Sequence, residues 1–165
     1  TSKEQTLTQM NSSVVEQFNS LANLGESEES PFKIHMSTEK FADAPIRISV
    51  FSDFECPFCK MVAEQMPELI RRYNGKINIQ YFFYPLDNKC NPNMKNGMHR
   101  NACDAAMIAA CDESKFAVVH DEIFANQDKI ADAILTIANK HGLKNCLENA
   151  DLKNKVAVSI NAASK

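Results

Sequence analysis

Ile46-Arg47-Ile48-Ser49-Val50-Phe51, followed after a short gap by Cys56-Pro57-Phe58-Cys59, is the stretch whose reading decides the fold. The first segment alternates and is β-branched, so it reads as a strand. Behind the cysteines runs an apolar-periodic segment that reads as a helix, with Pro57 in its first turn, where a missing N–H costs nothing. Two cysteines separated by two residues at the start of a helix after a strand suit thiol–disulfide exchange. Free N–H groups and the positive end of the helix dipole favour a thiolate at Cys56. Cys59 lies one turn further on, within reach of a disulfide with it.

The elements on either side extend this unit. Met61, Val62, Met66, Leu69, Ile70 and Tyr73 give the helix an apolar face, Pro67 predicts a kink, and Gly75 ends it. Ile77, Ile79, Tyr81 and Phe83 then alternate as a second strand, stopped by Pro85. Strand, helix and strand at this spacing form a right-handed βαβ unit with parallel strands. Upstream, Phe32 to Met36 reads as an edge strand, and Ala44-Pro45 breaks the chain before the main strand.

From Met94 onward the pattern is helical. Ala102 to Cys111 is alanine-rich, Phe116, Val119, Ile123 and Phe124 form a second stripe, and Ile130, Ile134, Leu135 and Ala138 a third. Gly142 is placed to cap that third helix. Leu152, Val156 and Ile160 mark a last helix running to the end. At the other end, Leu7, Met10, Val14, Phe18, Leu21 and Leu24 predict an amphipathic helix ending near Gly25. Its stripe either packs on its own domain or serves as a short oligomerisation helix. Glu26 to Pro31 is acidic and Ser-rich, and reads as a linker. The division is then 1–31 for helix and linker and 32–165 for one α/β domain, with a helical insertion at about 94–150.

Composition bounds the function. The chain has 165 residues, a formal net charge of -3, 44% hydrophobic and 24% charged residues. That is globular, and it lacks the basic footprint that nucleic acid demands. No apolar run approaches the roughly 18 residues of a membrane span. Six cysteines is a high, even count, which favours an oxidising compartment, periplasmic or exoplasmic. Zinc also uses CxxC but needs a second CxxC or a His cluster. The other cysteines are single, and His99 and His120 form no such cluster, so no metal is expected. Both histidines read first as structural and second as site residues. Asp53 and Glu55 read as solvated turn residues, or alternatively as a proton relay to Cys59.

With these residues in hand, the chain resembles the thioredoxin-fold proteins of the DsbA type, and among them the thioredoxin-like domains associated with bacterial vitamin K epoxide reductase homologues. The resemblance is carried by Phe51-Ser52-Asp53-Phe54-Glu55-Cys56-Pro57-Phe58-Cys59-Lys60, by Tyr84-Pro85-Leu86-Asp87 and by Cys90-Asn91. His99-Arg100-Asn101-Ala102-Cys103 and His120-Asp121-Glu122-Ile123-Phe124 complete it, over roughly residues 44 to 150. It implies a thioredoxin-like βαβ core with a helical insertion, and structural disulfides for which Cys90–Cys103 and Cys111–Cys146 are the candidate pairs. Buried free thiols are the alternative for those four. It implies no cofactor beyond the redox-active disulfide; quinone enters only through a membrane oxidase of the vitamin K epoxide reductase or DsbB kind.

The family also has a cis-proline loop facing the CxxC, two further strands and a final helix. Here Pro92 is the last proline and the chain stops at Lys165. The expectation is therefore a C-terminally incomplete domain, with a homodimer formed by edge pairing or swapping, and a membrane domain tethered to it in the natural protein. The leading function is a disulfide-forming oxidant of exported, thiol-containing client proteins. In it Cys56 attacks and is attacked, Cys59 is the buried partner, and Pro57 and Phe58 tune the thiolate. The rivals are an isomerase or reductase, a chaperone-like or copper-binding module using the thiols with Met94 or Met98, and an inactive truncated form.

Overall fold

The computed structural model describes residues 12–165. Residues 12–20 are helical (α1). Three strands follow: β1 (Lys33–Met36), β2 (Ile46–Ser52) and β3 (Ile77–Phe83), with α2 (Pro57–Arg72) between the last two. Then come α3 (Ala102–Ala110), α4 (Phe116–Ala125), α5 (Ile130–His141) and α6 (Ala150–Ala163). The sheet order is β1-β3-β2, with β2 parallel to β3 and β1 antiparallel to it. The βαβ unit and the edge position of β1 are as the sequence predicts.

β3 is central and wholly buried. Its alternation puts Ile77, Ile79, Tyr81 and Phe83 into the apolar core. The polar residues between them, Asn78 and Gln80, are buried too. Asn78 Oδ1 accepts from Ser37 N at 2.7 Å, and its Nδ2 donates to the carbonyls of Lys40 and Phe41. Gln80 Nε2 donates to Glu28 O and Ser49 Oγ, while its Oε1 accepts from Ser30 N at 2.8 Å. Satisfied this way, a buried amide costs little. The same bonds correct the reading of 26–31 as a free linker, because Ser27 to Ser30 is stitched across the sheet and Ser30 is buried.

Two further expectations are corrected. The described part of the N-terminal helix stops at residue 20, and Val14, Phe18 and Leu21 stay exposed, so the described part of its stripe does not pack on its own domain. Leu7 and Met10 lie outside the described residues. On α2, only Met66 is fully buried. The strands present Ile46, Ile48, Val50, Ile77 and Ile79 to Met66, Leu69 and Ile70, and Met61, Val62 and Tyr73 fall outside that patch and are exposed. α2 runs on through Pro67.

The helices form the larger part of the core. In α3 every residue but Asp104 is buried, because alanine side chains let α4, α5 and α6 close around it. Leu135 is exposed, and Ile137 takes the core position expected of it, since α5 turns its Ile130-Ala133-Ile134-Ile137 face inward. Gly142 adopts a left-handed φ of 73° and caps α5, as expected. Residues 88–101, expected to open the helical region at Met94, are irregular.

Disulfides join Cys90 to Cys103 and Cys111 to Cys146, with Cα separations of 5.9 and 5.8 Å. The first ties the irregular segment to the start of α3; the second ties the end of α3 to the turn after α5. Replacing Cys90 and Cys103 together by alanine is expected to cost about 3 kcal/mol, from a loop of 13 residues released in the unfolded chain. Urea denaturation of the double variant measures it, and an unchanged midpoint would contradict it.

Candidate active site at the start of α2

The backbone turns sharply between β2 and α2, and Asp53 makes the turn. It is buried, and each of its oxygens accepts a backbone N–H: Oδ1 from Glu55 and Oδ2 from Leu86, both at 2.6 Å. The solvated-turn reading of this acid is therefore corrected; the two N–H groups take the place of water. Glu55 is half-buried and anchored likewise, accepting from the N–H and side-chain amide of Asn101 at 2.8 and 3.0 Å. Gln127, just after α4, donates its side-chain amide to the carbonyls of Phe54 and Cys56 at 2.7 and 3.0 Å. The helical region thus grips the turn that carries the cysteines.

Cys56 is the N-cap residue of α2, with extended backbone at φ −75° and ψ 120°. Its carbonyl accepts from Lys60 N, the first bond of the helix. Pro57 and Phe58 are exposed, and both Cys56 and Cys59 carry free thiols. Burial pushes the Cys59 thiol up, opposed by bonding to the Asp53 backbone and the Ser52 hydroxyl. An open groove of about 220 Å³ runs past both sulfurs, lined by Phe51, Ser52, Asp53, Tyr84 and Leu86.

The two histidines fall on either side of this turn. His99 Nδ1 stands 3.0 Å from Asp53 Oδ2, off the line of a hydrogen bond. His120 is buried beneath Phe54, its ring edge-on to Tyr81 at 5.0 Å. Ser52, Tyr81, Asn101 and Gln127 were not legible as site residues, since each meets the turn from a distant segment or as an ordinary strand position. Among the described residues no three His, Cys, Asp or Glu side chains converge on a possible metal position, and no helix is long and apolar enough to cross a membrane.

A raised thiol has a consequence for stability. The folded state holds the Cys59 proton to higher pH than the unfolded chain, so the reduced protein keeps this contribution below the ordinary thiol value of 9.0 and loses it as pH rises further. Tyr81 is raised by burial in the same sense. Reduced protein is expected to lose stability above about pH 9, and Cys59→Ala to lose less. Denaturation midpoints across alkaline pH test this; identical slopes for the two would contradict it.

Comparison with known proteins places this arrangement. A family model described as Thioredoxin matches residues 41–165. The chain belongs to the thioredoxin family. It is 27% identical over 137 residues to a probable disulfide bond formation protein D of Bacillus cereus, covering 74% of this chain and 61% of that protein. It is 29% identical over 90 residues to a Na(+)/H(+) antiporter, NhaA 1, of Mycolicibacterium gilvum, covering 53% of this chain and 13% of the antiporter. The chain therefore spans less than two thirds of the length of either relative. The crystal structure of Wolbachia pipientis alpha-DsbA1 superposes with a TM-score of 0.55 at 19% identity, over 73% of this chain and 63% of that one. The fold is thus the DsbA-like form of the thioredoxin fold.

Proposed function

We propose that this chain is a thiol–disulfide oxidoreductase that forms disulfides in exported proteins by exchange at Cys56-Pro57-Phe58-Cys59. The observation that carries the reading is the unlike pair of free thiols at the start of α2. Both are half-buried beside the open groove, but Cys56 is the N-cap of the helix, whereas Cys59 lies inside it with its thiol pushed up by burial. Cys56, at the helix N-terminus, exchanges with the client, and Cys59 opens and closes the disulfide. The Bacillus relative's name, disulfide bond formation protein, supports the same chemistry.

Two further disulfides persist best where thiols are kept oxidised, which supports a periplasmic or exoplasmic location. The partners are thiol-containing client proteins and a quinone-linked membrane oxidase of the vitamin K epoxide reductase or DsbB kind, which restores the Cys56–Cys59 disulfide. The match to part of a membrane antiporter supports a natural form tethered to a membrane domain. β2 forms the outer edge of the sheet, and pairing of two copies along it is the route to a dimer.

The reduction potential decides the direction of exchange. An oxidant is expected well above thioredoxin's value of about −270 mV, toward the strongly oxidising end near about −120 mV. A value at the thioredoxin end would transfer the protein to the reductases. A second reading, an isomerase, draws on the exposed Val14 and Phe18 of α1 and Leu21 just after it, which suit a dimerising helix. Recovery of activity from a scrambled-disulfide substrate separates it from the oxidant.

A further inference from the structure

Next to Cys59, the core contains polar atoms that the exchange chemistry described so far does not use. Ser52 ends β2 and is 4% exposed; Tyr81 sits in mid-β3 and is 1% exposed. Neither hydroxyl makes a hydrogen bond of full geometry, although Ser52 stands near enough to Cys59 and Tyr81 to lower both groups. A buried hydroxyl short of a well-aligned partner is costly, so two together in one core call for a reason. They do not lie in separate places. Ser52, Tyr81 and Cys59 line one small cavity of about 10 Å³, with Ile34, Val50 and His120 closing it. That volume is at the threshold for one water molecule, and three polar atoms are enough to hold it. Ser52 is the hydroxyl that acts on both neighbours, since it lowers the thiol of Cys59 and the phenol of Tyr81 together.

We infer that Ser52 and Tyr81 are a hydroxyl pair that stabilises the Cys59 thiolate when the Cys56–Cys59 disulfide opens. The inference rests on the oxidoreductase reading. A client thiolate attacks Cys56 Sγ, the Cys56–Cys59 bond breaks, and its electron pair leaves on Cys59 Sγ as a new disulfide forms between client and Cys56. Negative charge then appears on a half-buried sulfur, where burial opposes it. Ser52 Oγ–H donates to that sulfur, directly or through a water in the cavity, and Tyr81 O–H donates to Ser52 Oγ. Tyr81 suits the far end because burial holds it neutral, as a donor. A second client thiolate then attacks the client sulfur of the mixed disulfide and releases Cys56 as thiolate, leaving the client oxidised and the protein reduced. Ser52 touches the reacting sulfur; Tyr81 is a positioning residue acting through it.

The test titrates Cys59 alone, in the Cys56→Ala background, by the ultraviolet absorbance of its thiolate. The other titratable groups facing Cys59 are Asp53 from the turn, Tyr81 from β3 and His120 from α4. Ser52→Ala is expected to raise the Cys59 midpoint by about one pH unit, a tenfold loss of thiolate. Tyr81→Phe, which removes one oxygen, is expected to move it the same way by less, and Ser52→Thr, which keeps the hydroxyl, to restore it. With both cysteines present, Ser52→Ala is expected to slow opening of the disulfide by a small thiol about tenfold. Midpoints unchanged in both Ser52→Ala and Tyr81→Phe would overturn the inference. These readouts need no client, so a parent protein that fails to oxidise clients sinks the oxidoreductase reading separately.

Discussion

Replacing Cys56 by serine is expected to lower dithiol oxidation by about three orders of magnitude or more, because the variant has no sulfur to form the mixed disulfide. Replacing Cys59 by serine has a different signature. In that variant Cys56 attacks the disulfide of an oxidised client and releases one client thiolate, but no Cys59 thiol is there to displace the client from Cys56, so the covalent complex accumulates. The asymmetry follows from position: Cys56 is the N-cap residue of α2, and Cys59 lies within the helix with its thiol raised by burial. Oxidation of a dithiol peptide by Cys56→Ser, and incubation of Cys59→Ser with a disulfide-bonded peptide followed by non-reducing mass analysis, measure the two effects. A Cys56→Ser protein as active as its parent would remove the site from these residues.

Phe54→Ala is expected to cost about 3–5 kcal/mol, out of a total near 5–15 kcal/mol for a domain. Phe54 is 1% exposed and its ring packs against Tyr81, Phe83, His120 and Phe124, at centroid distances of 5.8, 6.1, 5.9 and 5.0 Å. Truncation would leave a cavity where the sheet meets α4, directly beneath the cysteines. The backbone of the same residue is held by Gln127, so the turn is expected to loosen as the core does. Chemical denaturation gives the loss; less than about 1 kcal/mol would mean that the cavity collapses. Phe54→Leu, which keeps most of the volume, is expected to lose far less.

These two residues stand two apart, yet they differ in how far the sequence reveals them. Cys56 is legible because its signal is local: a strand period before it, a helix period after it, and a partner one turn on. Phe54 reads only as an apolar residue in a turn. Its four ring partners come from β3 and α4, and nothing in its neighbourhood announces them. The solvated reading of Asp53 and Glu55 fails for the same reason. Two carboxylates beside a turn normally face water, and their actual partners, Leu86 and Asn101, lie 33 and 46 residues further along the chain.

Periodicity and punctuation alone determined the βαβ unit, the position of the cysteines at a helix start, the helical region after β3 and the cap at Gly142. Each depends on contacts between near neighbours, which composition and spacing encode directly. Only the tertiary structure decided which faces are covered: α1 and the outer side of α2 are exposed despite their apolar residues, while Asn78 and Gln80 are buried despite their polarity. The same holds for Gln127 on the turn and for the Ser52–Tyr81 hydroxyls next to Cys59. The physical reason is that burial and hydrogen bonding across distant segments depend on what the fold brings opposite a residue, and no local pattern records that.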